Sequence, residues 1–307
     1  MKIFVTGGTG FIGKHLVKKL REKKHSLLLL SQQPVEGFDF VEGDLSDINQ
    51  WKAGVKKFKP DAAVHLAWEG LPDYSVLNSR KNINYGLDLF SFLAGIRCKI
   101  VLAVGSAWEY GGRQPETAVA GTMLAKPSDT FSAAKWIVNL WGTALVEENN
   151  KECSSQDKSR FIWARILFVY GPGQRETSLV AYLINCWKKN IRPEIKNPSA
   201  KNDFIYIDDV VEALIMLLEN CKKSGEYDIG CGKLIGTQEI INIIAEKLKV
   251  RDWFKDVNQL NDVYSIPSPV ADVSRIKEEI GWEPRINIEE GIQKMIDYYL
   301  SKNGTVE

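Results

Sequence analysis

The sequence predicts an α/β fold: a doubly wound parallel sheet with a smaller, mixed C-terminal lobe. In the first half of the chain, short and continuously apolar segments alternate with segments that carry apolar residues at helical spacing. Continuous apolar strands are typical of a parallel sheet covered by helices on both faces. Right-handed crossovers between such strands make the sheet doubly wound. A glycine run directly after the first strand favours the Rossmann form of this sheet.

The elements of the first half follow in order. Strands are predicted over residues 2–6, 27–31, 38–41, 62–66, 100–104 and 161–168. Helices are predicted between them over residues 11–24, 47–58, 78–94 and 133–148. The polar segment 149–160 predicts a surface loop.

After residue 173 the alternation becomes less regular. Helices are predicted over 179–189, 208–219 and 238–248, and short strands over 204–207 and 227–229. We therefore predict a dinucleotide-binding domain over residues 1–170, to which 203–230 returns. Residues 171–202 and 231–307 are predicted to form the smaller, substrate-binding lobe.

Composition and charge exclude several classes of protein. Forty basic residues against 39 acidic residues give a net charge of +1, which argues against a nucleic-acid binder or a polybasic membrane protein. No basic segment followed by an apolar stretch opens the chain, and the longest apolar runs are far below the ~20 residues that span a bilayer. Five scattered cysteines predict free thiols in the cytoplasm, and the three histidines give no pattern of metal ligands.

The glycine run GGTGFIG at residues 7–13 predicts a dinucleotide site. Its spacing fits both G-x-G-x-x-G and G-x-x-G-x-x-G, between a strand and a helix. Glycines permit a tight turn and the close approach of backbone N–H groups to a pyrophosphate, and the helix dipole favours the anion. The predicted contacts in this segment are Gly7, Gly10, Phe11, Ile12 and Gly13.

The end of the second strand bears on which dinucleotide is bound. NAD sites of this type usually carry an acidic residue ~20 positions after the glycines, which binds the adenosine ribose. Here the strand ends in Ser31-Gln32-Gln33, without a carboxylate to repel a 2′-phosphate and without an arginine to bind one. We therefore expect a small preference for NADP(H) over NAD(H).

Motifs along nearly the whole chain resemble those of the extended short-chain dehydrogenases/reductases, the NAD-dependent epimerase/dehydratase family of nucleotide-sugar enzymes. They are the glycine run, GDL at 43–45, HLA at 65–67, GSAWEYG at 105–111, Arg165 through YGPG at 170–173, DFIYIDDV at 203–210, AD at 271–272 and GWEP at 281–284. The resemblance implies further cofactor contacts at Ser31, Asp44, Leu45, Leu66, Ala67 and Lys135. It also implies a homodimer formed through a helix bundle, to which residues 78–94 and the helix of Trp136 and Trp141 would contribute.

The catalytic residues of this family are a serine and a Tyr-x-x-x-Lys pair, which the resemblance places at Ser106, position 131 and Lys135. Position 131, however, is Phe131. The tyrosine hydroxyl exchanges a proton with the sugar oxygen while hydride moves to or from the nicotinamide. Phenylalanine keeps the ring and loses the proton, so we expect impaired chemistry. The sequence leaves open whether Phe131 is natural, was introduced to trap a substrate complex, or is a core aromatic in an unrelated helix.

The residues after Ser106 limit which of the family's reactions this chain is expected to catalyse. Family dehydratases carry an Asp-Glu pair there, where this chain has Ala107 and Trp108. The segments 105–111, 162–165 and 170–173 resemble most the reductases that use NAD(P)H on the 4-keto group of a nucleotide-diphosphate 4-keto-6-deoxyhexose. A 4-epimerase and a non-catalytic NAD(P)-binding relative remain the alternatives.

The predicted substrate contacts are Ser106, Trp108, Arg175 and Asn202. Asn202 stands where the family often has an arginine that binds the diphosphate. Arg175 or Arg192 could take that role.

Overall fold

A seven-stranded sheet forms the centre of the protein. The computed structural model describes residues 1–111, 125–151, 153–154, 157–195, 197–250 and 268–301. The sheet strands are β1 (Lys2–Thr6), β2 (Ser26–Ser31), β3 (Asp39–Glu42), β4 (Ala62–His65), β5 (Ile100–Ser106), β6 (Arg160–Ile166) and β10 (Gly225–Ile229). Four short strands lie outside it, β7 (Phe168–Tyr170), β8 (Lys201–Asn202), β9 (Phe204–Tyr206) and β11 (Ile235–Gly236).

The sheet has the order β10-β6-β5-β4-β1-β2-β3, and every neighbouring pair is parallel. The chain builds outward from β1 to β3, then returns to the centre at β4 and builds in the opposite direction. Ligands of such sheets bind at the carboxyl ends of the strands where the order reverses, here between β1 and β4. The predicted doubly wound parallel fold is confirmed.

Helices cover both faces of the sheet. They are α1 (Phe11–Glu22), α2 (Ile48–Phe58), α3 (Val76–Gly95), α4 (Thr130–Asn150), α5 (Leu179–Lys188), α6 (Ile207–Asn220), α7 (Thr237–Lys247), α8 (Ser274–Ile280) and α9 (Ile288–Ser301). Alternate residues of β1 enter different cores: Ile3 and Val5 pack towards α1 and α6, whereas Phe4 packs towards α2, α3 and α4. No helix in the described ranges is long and apolar enough to cross a membrane.

Two elements, α4 and β6, have boundaries that differ from the sequence prediction. Helix α4 begins at Thr130 instead of residue 133, because the Asp129 carboxylate accepts the N–H of Ser132 at 2.9 Å and caps the helix. It also runs on to Asn150, inside the predicted loop. The strand predicted over 161–168 ends at Ile166, and β7 pairs with β9 instead of continuing in the main sheet.

The second half of the chain packs on the sheet without a separate core. β10 pairs with β6, and α6 packs against α1. Helices α5, α7 and α9 add Ile184, Ile241 and Ile292 to the core that contains β1. The division into two domains remains a prediction, and residues 196, 251–267 and 302–307 of the predicted lobe lie outside the described residues.

Candidate active site

The glycine loop lies at the carboxyl end of β1, beside the end of β4. Gly7 has a φ of +73°, and a Cβ on it would lie 2.6 Å from the backbone nitrogen of Ala67. A Cβ on Gly13 would collide with the carbonyl oxygen of Gly7. Both positions therefore require glycine, because the loop is packed against Leu66–Ala67 and against itself.

Gly10 is surrounded differently. A Cβ there would meet only the Gly7 carbonyl oxygen, at 3.3 Å, among the described residues. Gly10 precedes α1, whose first turn, Phe11 to Gly13, offers N–H groups without helical acceptors and holds no acidic residue. Open space beside backbone donors at a positive helix end fits the pyrophosphate of a dinucleotide.

A carboxylate lies beside the end of β2, although none follows that strand in the sequence. Asp44 accepts hydrogen bonds from Gln32 Nε2 (2.9 Å), from Ser46 N (2.8 Å) and from the Ser46 hydroxyl. The bonds from Ser46, followed by the one from Gln32, lower the pKa of Asp44. Ser31, at the end of β2, accepts the N–H of Gln33 on its hydroxyl at 3.3 Å. Leu45, next to Asp44, packs against the core on this side of the sheet.

A hydrogen bond joins the two strands at which the order reverses. Thr6 Oγ1 and His65 Nδ1 are 2.7 Å apart. Burial, with a smaller contribution from the Lys135 charge, lowers the pKa of His65 to about 3, so the imidazole is neutral. The described part of the chain holds no group of three or more His, Cys, Asp or Glu side chains that could bind a metal ion.

Ser106 ends β5 and caps the short 3-10 turn Ala107–Tyr110. Its hydroxyl oxygen accepts the N–H of Trp108 at 3.3 Å, and its N–H donates to Glu109 Oε1 at 2.8 Å. The reciprocal bonds fix the backbone of Ser106 at the carboxyl edge of the sheet. Because the hydroxyl oxygen acts as an acceptor here, its own proton can be donated to a ligand.

Phe131 and Lys135 lie one helical turn apart on α4, and both are buried. Lys135 Nζ donates to the carbonyl oxygen of Val104 at 2.9 Å and lies 4.0 Å from the ring centre of Trp68. Burial lowers the pKa of Lys135 to about 8, against an opposing effect of the Glu109 charge. This hydrogen bond thus holds the amine beside β5, at a residue two positions before Ser106.

Three aromatic rings surround Phe131. Its ring centre lies 5.5 Å from that of Trp68, 5.0 Å from that of Tyr74 and 5.7 Å from that of Trp108. Tyr74 and Trp108 also contact each other, at 5.0 Å. We call these four residues the aromatic cluster. Sequence reasoning missed Trp68 and Tyr74. The available signal was two aromatic residues in the loop that follows β4.

A buried charge network supports the Ser106 turn. Glu109 is fully buried and accepts from Arg165 Nε at 2.9 Å. Arg165 also binds Glu226 at 2.7 Å and donates to the Tyr110 hydroxyl at 3.2 Å. That hydroxyl in turn donates to Asp228 at 2.8 Å. Burial raises the pKa of Asp228 to about 6, although the bond from Tyr110 opposes the shift.

The structure therefore brings Ser106, Trp108, Phe131 and Lys135 into one cluster, and places Leu66 and Ala67 against the glycine loop. The other two predicted substrate residues belong to other elements. Arg175 is exposed in the loop after β7. Asn202 lies in β8, where its side-chain oxygen accepts from the Ser268 hydroxyl at 2.5 Å. The roles of all these residues stay predictions.

Comparison with known proteins identifies a family. The model of the NAD dependent epimerase/dehydratase family matches residues 3–230. The dTDP-4-dehydro-6-deoxyglucose reductase of Escherichia coli is 26% identical over 318 residues, which cover 96% of this chain and 96% of that protein. A putative UDP-glucose 4-epimerase of Methanocaldococcus jannaschii is also 26% identical, over 99% of this chain and 100% of that protein.

The fold is shared with solved structures of nucleotide-sugar enzymes. MoeE5 in complex with UDP-glucose and NAD superimposes with a TM-score of 0.82 and 22% identity, covering 99% of this chain and 100% of that chain. At this identity the likeness establishes the fold only.

Proposed function

Because the chain belongs to the NAD-dependent epimerase/dehydratase family, we propose that it reduces the 4-keto group of a nucleotide-diphosphate 4-keto-6-deoxyhexose with NAD(P)H. The observation that carries the proposal is the cluster of Ser106, Lys135 and Phe131 beside the glycine loop. Ala107 and Trp108 occupy the positions at which a dehydratase would need an acid and a base. The similarity to the Escherichia coli reductase over nearly the full length of both chains supports the same reaction.

The residues of the chain act on the substrate and the cofactor in separate ways. The N–H groups around Gly10 hold the pyrophosphate, and the bound dihydronicotinamide supplies a hydride. The Ser106 hydroxyl donates a hydrogen bond to the ketone oxygen and orients it. The Lys135 ammonium, held on Val104, stabilises negative charge that develops there. Phe131 has no proton to give, so turnover is slow.

A 4-epimerase is the second candidate, because it needs the same Ser106 and Lys135 and an epimerase relative is equally similar. The two reactions have different products. A reductase consumes one NAD(P)H per sugar, whereas an epimerase interconverts two sugars without net consumption of cofactor. A relative that binds NAD(P) without catalysis has no chemical need for either side chain.

The nucleotide preference of the cofactor site forms a finer part of the proposal. We infer a small preference for NADP(H), because Ser31, Gln32 and Gln33 at the end of β2 are uncharged; the Asp44 carboxylate, which Gln32 and Ser46 bind, acts against this preference. Titration calorimetry with both reduced cofactors tests this. NADH binding tenfold more tightly than NADPH would reverse the preference.

We also infer that the substrate contacts Trp108, Arg175 and Asn202, and that the enzyme is a cytoplasmic homodimer. The free thiols of the five cysteines support a reducing compartment. The exposed apolar residues of α4 support a helix-bundle interface with a second copy.

Single-turnover kinetics test the proposed reaction. Excess protein is mixed with NADPH or NADH and with dTDP-, CDP- or UDP-linked 4-keto-6-deoxyhexoses, and the loss of reduced-cofactor absorbance is followed. We expect slow, stoichiometric oxidation with one of these sugars and a 6-deoxyhexose product. Lys135→Met is the control that keeps the fold and should be slower still. Interconversion of sugars without loss of absorbance would replace the reductase with the epimerase.

A further inference from the structure

The side chain of Tyr74 lies next to Phe131, at the position where the family pattern has a tyrosine. The ring of Tyr74 is 5.0 Å from that of Phe131, and the two planes meet at 73°. Phe131 is 6% exposed, whereas Tyr74 is 38% exposed. Tyr74 therefore contacts the buried Phe131 ring and is itself open to solvent, from which a sugar would enter.

Tyr74 also lies on the Ser106 side of the aromatic cluster. Its ring contacts Trp108 at 5.0 Å, and the Trp108 N–H is bound to the Ser106 hydroxyl. A ligand oxygen that accepts from Ser106 thus lies on the same part of the sheet edge as the Tyr74 ring.

The backbone on both sides of Tyr74 is fixed. Ser75 caps α3 by accepting the N–H of Asn78, and its own N–H donates to the Asp73 carboxylate at 2.9 Å. The Asn78 amide donates to the same carboxylate at 2.8 Å. The Tyr74 hydroxyl forms no hydrogen bond with any other described residue. The ring is therefore held at the site while its proton is not committed to an acceptor within the part of the chain that the structure describes.

We propose that Tyr74 is the catalytic acid of this chain, in place of the hydroxyl that Phe131 lacks. The inference rests on the proposed ketone reduction. As hydride from the dihydronicotinamide adds to the carbonyl carbon, the Tyr74 O–H bond breaks and its proton passes to the carbonyl oxygen. The products are a secondary alcohol, the oxidised cofactor and the Tyr74 phenolate. Because Tyr74 is exposed, the phenolate regains its proton from water.

Four proteins test the role of Tyr74: the native chain, Tyr74→Phe, Phe131→Tyr and the double variant. Tyr74→Phe should lower the native single-turnover rate about 100-fold, within the range that a positioned general acid contributes. In the Phe131→Tyr background the same change should cost less than about threefold, because a second hydroxyl then supplies the proton. Tyr298→Phe, on α9, is the matched control and should leave the rate unchanged.

Equal rates for the native chain and Tyr74→Phe would overturn the role of Tyr74 while the reductase stands. Equal losses in both backgrounds would also overturn it, since a structural effect does not depend on residue 131. Absence of turnover in all four proteins would overturn the reductase, and the role of Tyr74 with it.

A readout without turnover comes from NMR of protein labelled at the tyrosine Cζ carbon. The native protein is mixed with oxidised cofactor and the keto sugar, a complex that cannot react. The Tyr74 resonance, assigned from its loss in Tyr74→Phe, should shift when the sugar is added, whereas that of Tyr298 should not. An unchanged Tyr74 resonance in a complex that calorimetry finds saturated would overturn the contact.

Discussion

At residue scale, one oxygen atom at position 131 separates this chain from the Ser and Tyr-x-x-x-Lys pattern that its resemblance to the family implies. Phe131 keeps the ring that packs on Trp68 and Trp108, so the site is filled in the same way with or without the hydroxyl. What changes is the supply of a proton, next to an ammonium group that remains in place on Val104. The missing hydroxyl should therefore affect the reaction rate and the binding affinity differently.

We expect Phe131→Tyr to raise the single-turnover rate of ketone reduction about 100-fold, because a positioned general acid contributes ~10²–10⁴-fold and Tyr74 supplies part of it already. Cofactor affinity should change little, since the two rings have nearly the same volume. The measurement is the loss of NAD(P)H absorbance with the preferred sugar, beside calorimetry of both proteins. Phe131→Leu is the control without a ring or a proton. Equal rates for native and Phe131→Tyr would mean that the aligned position does not face the ketone.

Substitution of two glycines of the loop should have two different effects, one on dinucleotide binding and one on stability. Gly10→Val should abolish dinucleotide binding and leave the fold intact, because its Cβ meets one atom of the described residues, at 3.3 Å, and the rest of the side chain enters the open space. Gly13→Val should destabilise the protein itself, since its Cβ has no room beside Gly7. Calorimetry with NADH and NADPH and thermal melting of the ligand-free proteins separate the two effects. Unchanged affinity in Gly10→Val would remove the pyrophosphate from this loop.

Lys135 should make the stability of the protein depend on pH in a defined direction. Its pKa falls from 10.5 in the unfolded chain to about 8 in the folded one, so the unfolded state binds more protons between these values. Stability therefore rises as the pH rises from about 8 to 10.5, and the buried cation costs about 3 kcal/mol at pH 7. The stability of Lys135→Met relative to the native chain should fall by about 2 kcal/mol between pH 7 and 9.5. Urea denaturation at both pH values measures it. A difference independent of pH would mean that Lys135 titrates normally.

At element scale, the 3-10 turn after β5 depends on a buried ion pair. Glu109 binds the N–H of Ser106 and the guanidinium of Arg165, and both charged groups are buried. Such a pair adds little net stability, but removing Glu109 takes away the buried partner of Arg165 and leaves its charge paired with the partly exposed Glu226. The position of the turn that contains Ser106 thus depends on the contact with Arg165, which lies in β6.

Glu109→Ala should destabilise the protein by about 3–5 kcal/mol, because it leaves the Arg165 charge without its buried partner. Glu109→Gln should cost less, since the amide oxygen can still accept from Ser106 or Arg165. Urea denaturation followed by tryptophan fluorescence measures both. Glu283→Ala, which breaks an exposed pair with Lys277, is the control and should leave the denaturation midpoint unchanged. A midpoint equally unchanged in Glu109→Ala would contradict the role of the pair.

The strands and the contiguous motifs are the parts of the structure that the sequence could predict. Strand periodicity located β1, β2, β4 and β5 to within two residues, because fully buried parallel strands are continuously apolar. The glycine loop and the Ser106 segment are contiguous in sequence, so their motifs could be read directly.

Two of the missed features depend on contacts across the chain. Trp68 and Tyr74 reach Phe131 from a loop nearly 60 residues earlier. The bond from Gln32 brings Asp44 to the end of β2. The capping of α4 by Asp129 is local, but it was hidden because the helical spacing of apolar residues only becomes regular later. The spacing of residues in the sequence does not predict the first two of these arrangements, because both are tertiary contacts.

At the scale of the whole molecule, α4 carries an apolar face that the described residues of the chain leave open. Ile137, Leu140 and Trp141 are 42%, 49% and 42% exposed, and their spacing of three and four residues places them on one side of the helix. The face borders α3, where Trp141 Nε1 donates to the Ser91 hydroxyl at 3.4 Å. An exposed apolar helix face of this kind is typical of an interface with another protein. A second copy in two-fold symmetry would bring the same face against itself.

We therefore expect the protein to be a dimer at micromolar concentration, and Leu140→Arg to be a monomer. The two-fold axis would place two new like charges close together in an apolar interface, where neither finds a partner. Light scattering coupled to size-exclusion chromatography measures the mass of each. Leu300→Arg is the matched control, because Leu300 is 44% exposed on α9, and it should remain a dimer. Loss of the interface should also lower the melting temperature and remove its dependence on protein concentration. A native protein that runs as a monomer, or a Leu140→Arg variant that runs as a dimer, would show that the α3–α4 face is not where two copies meet.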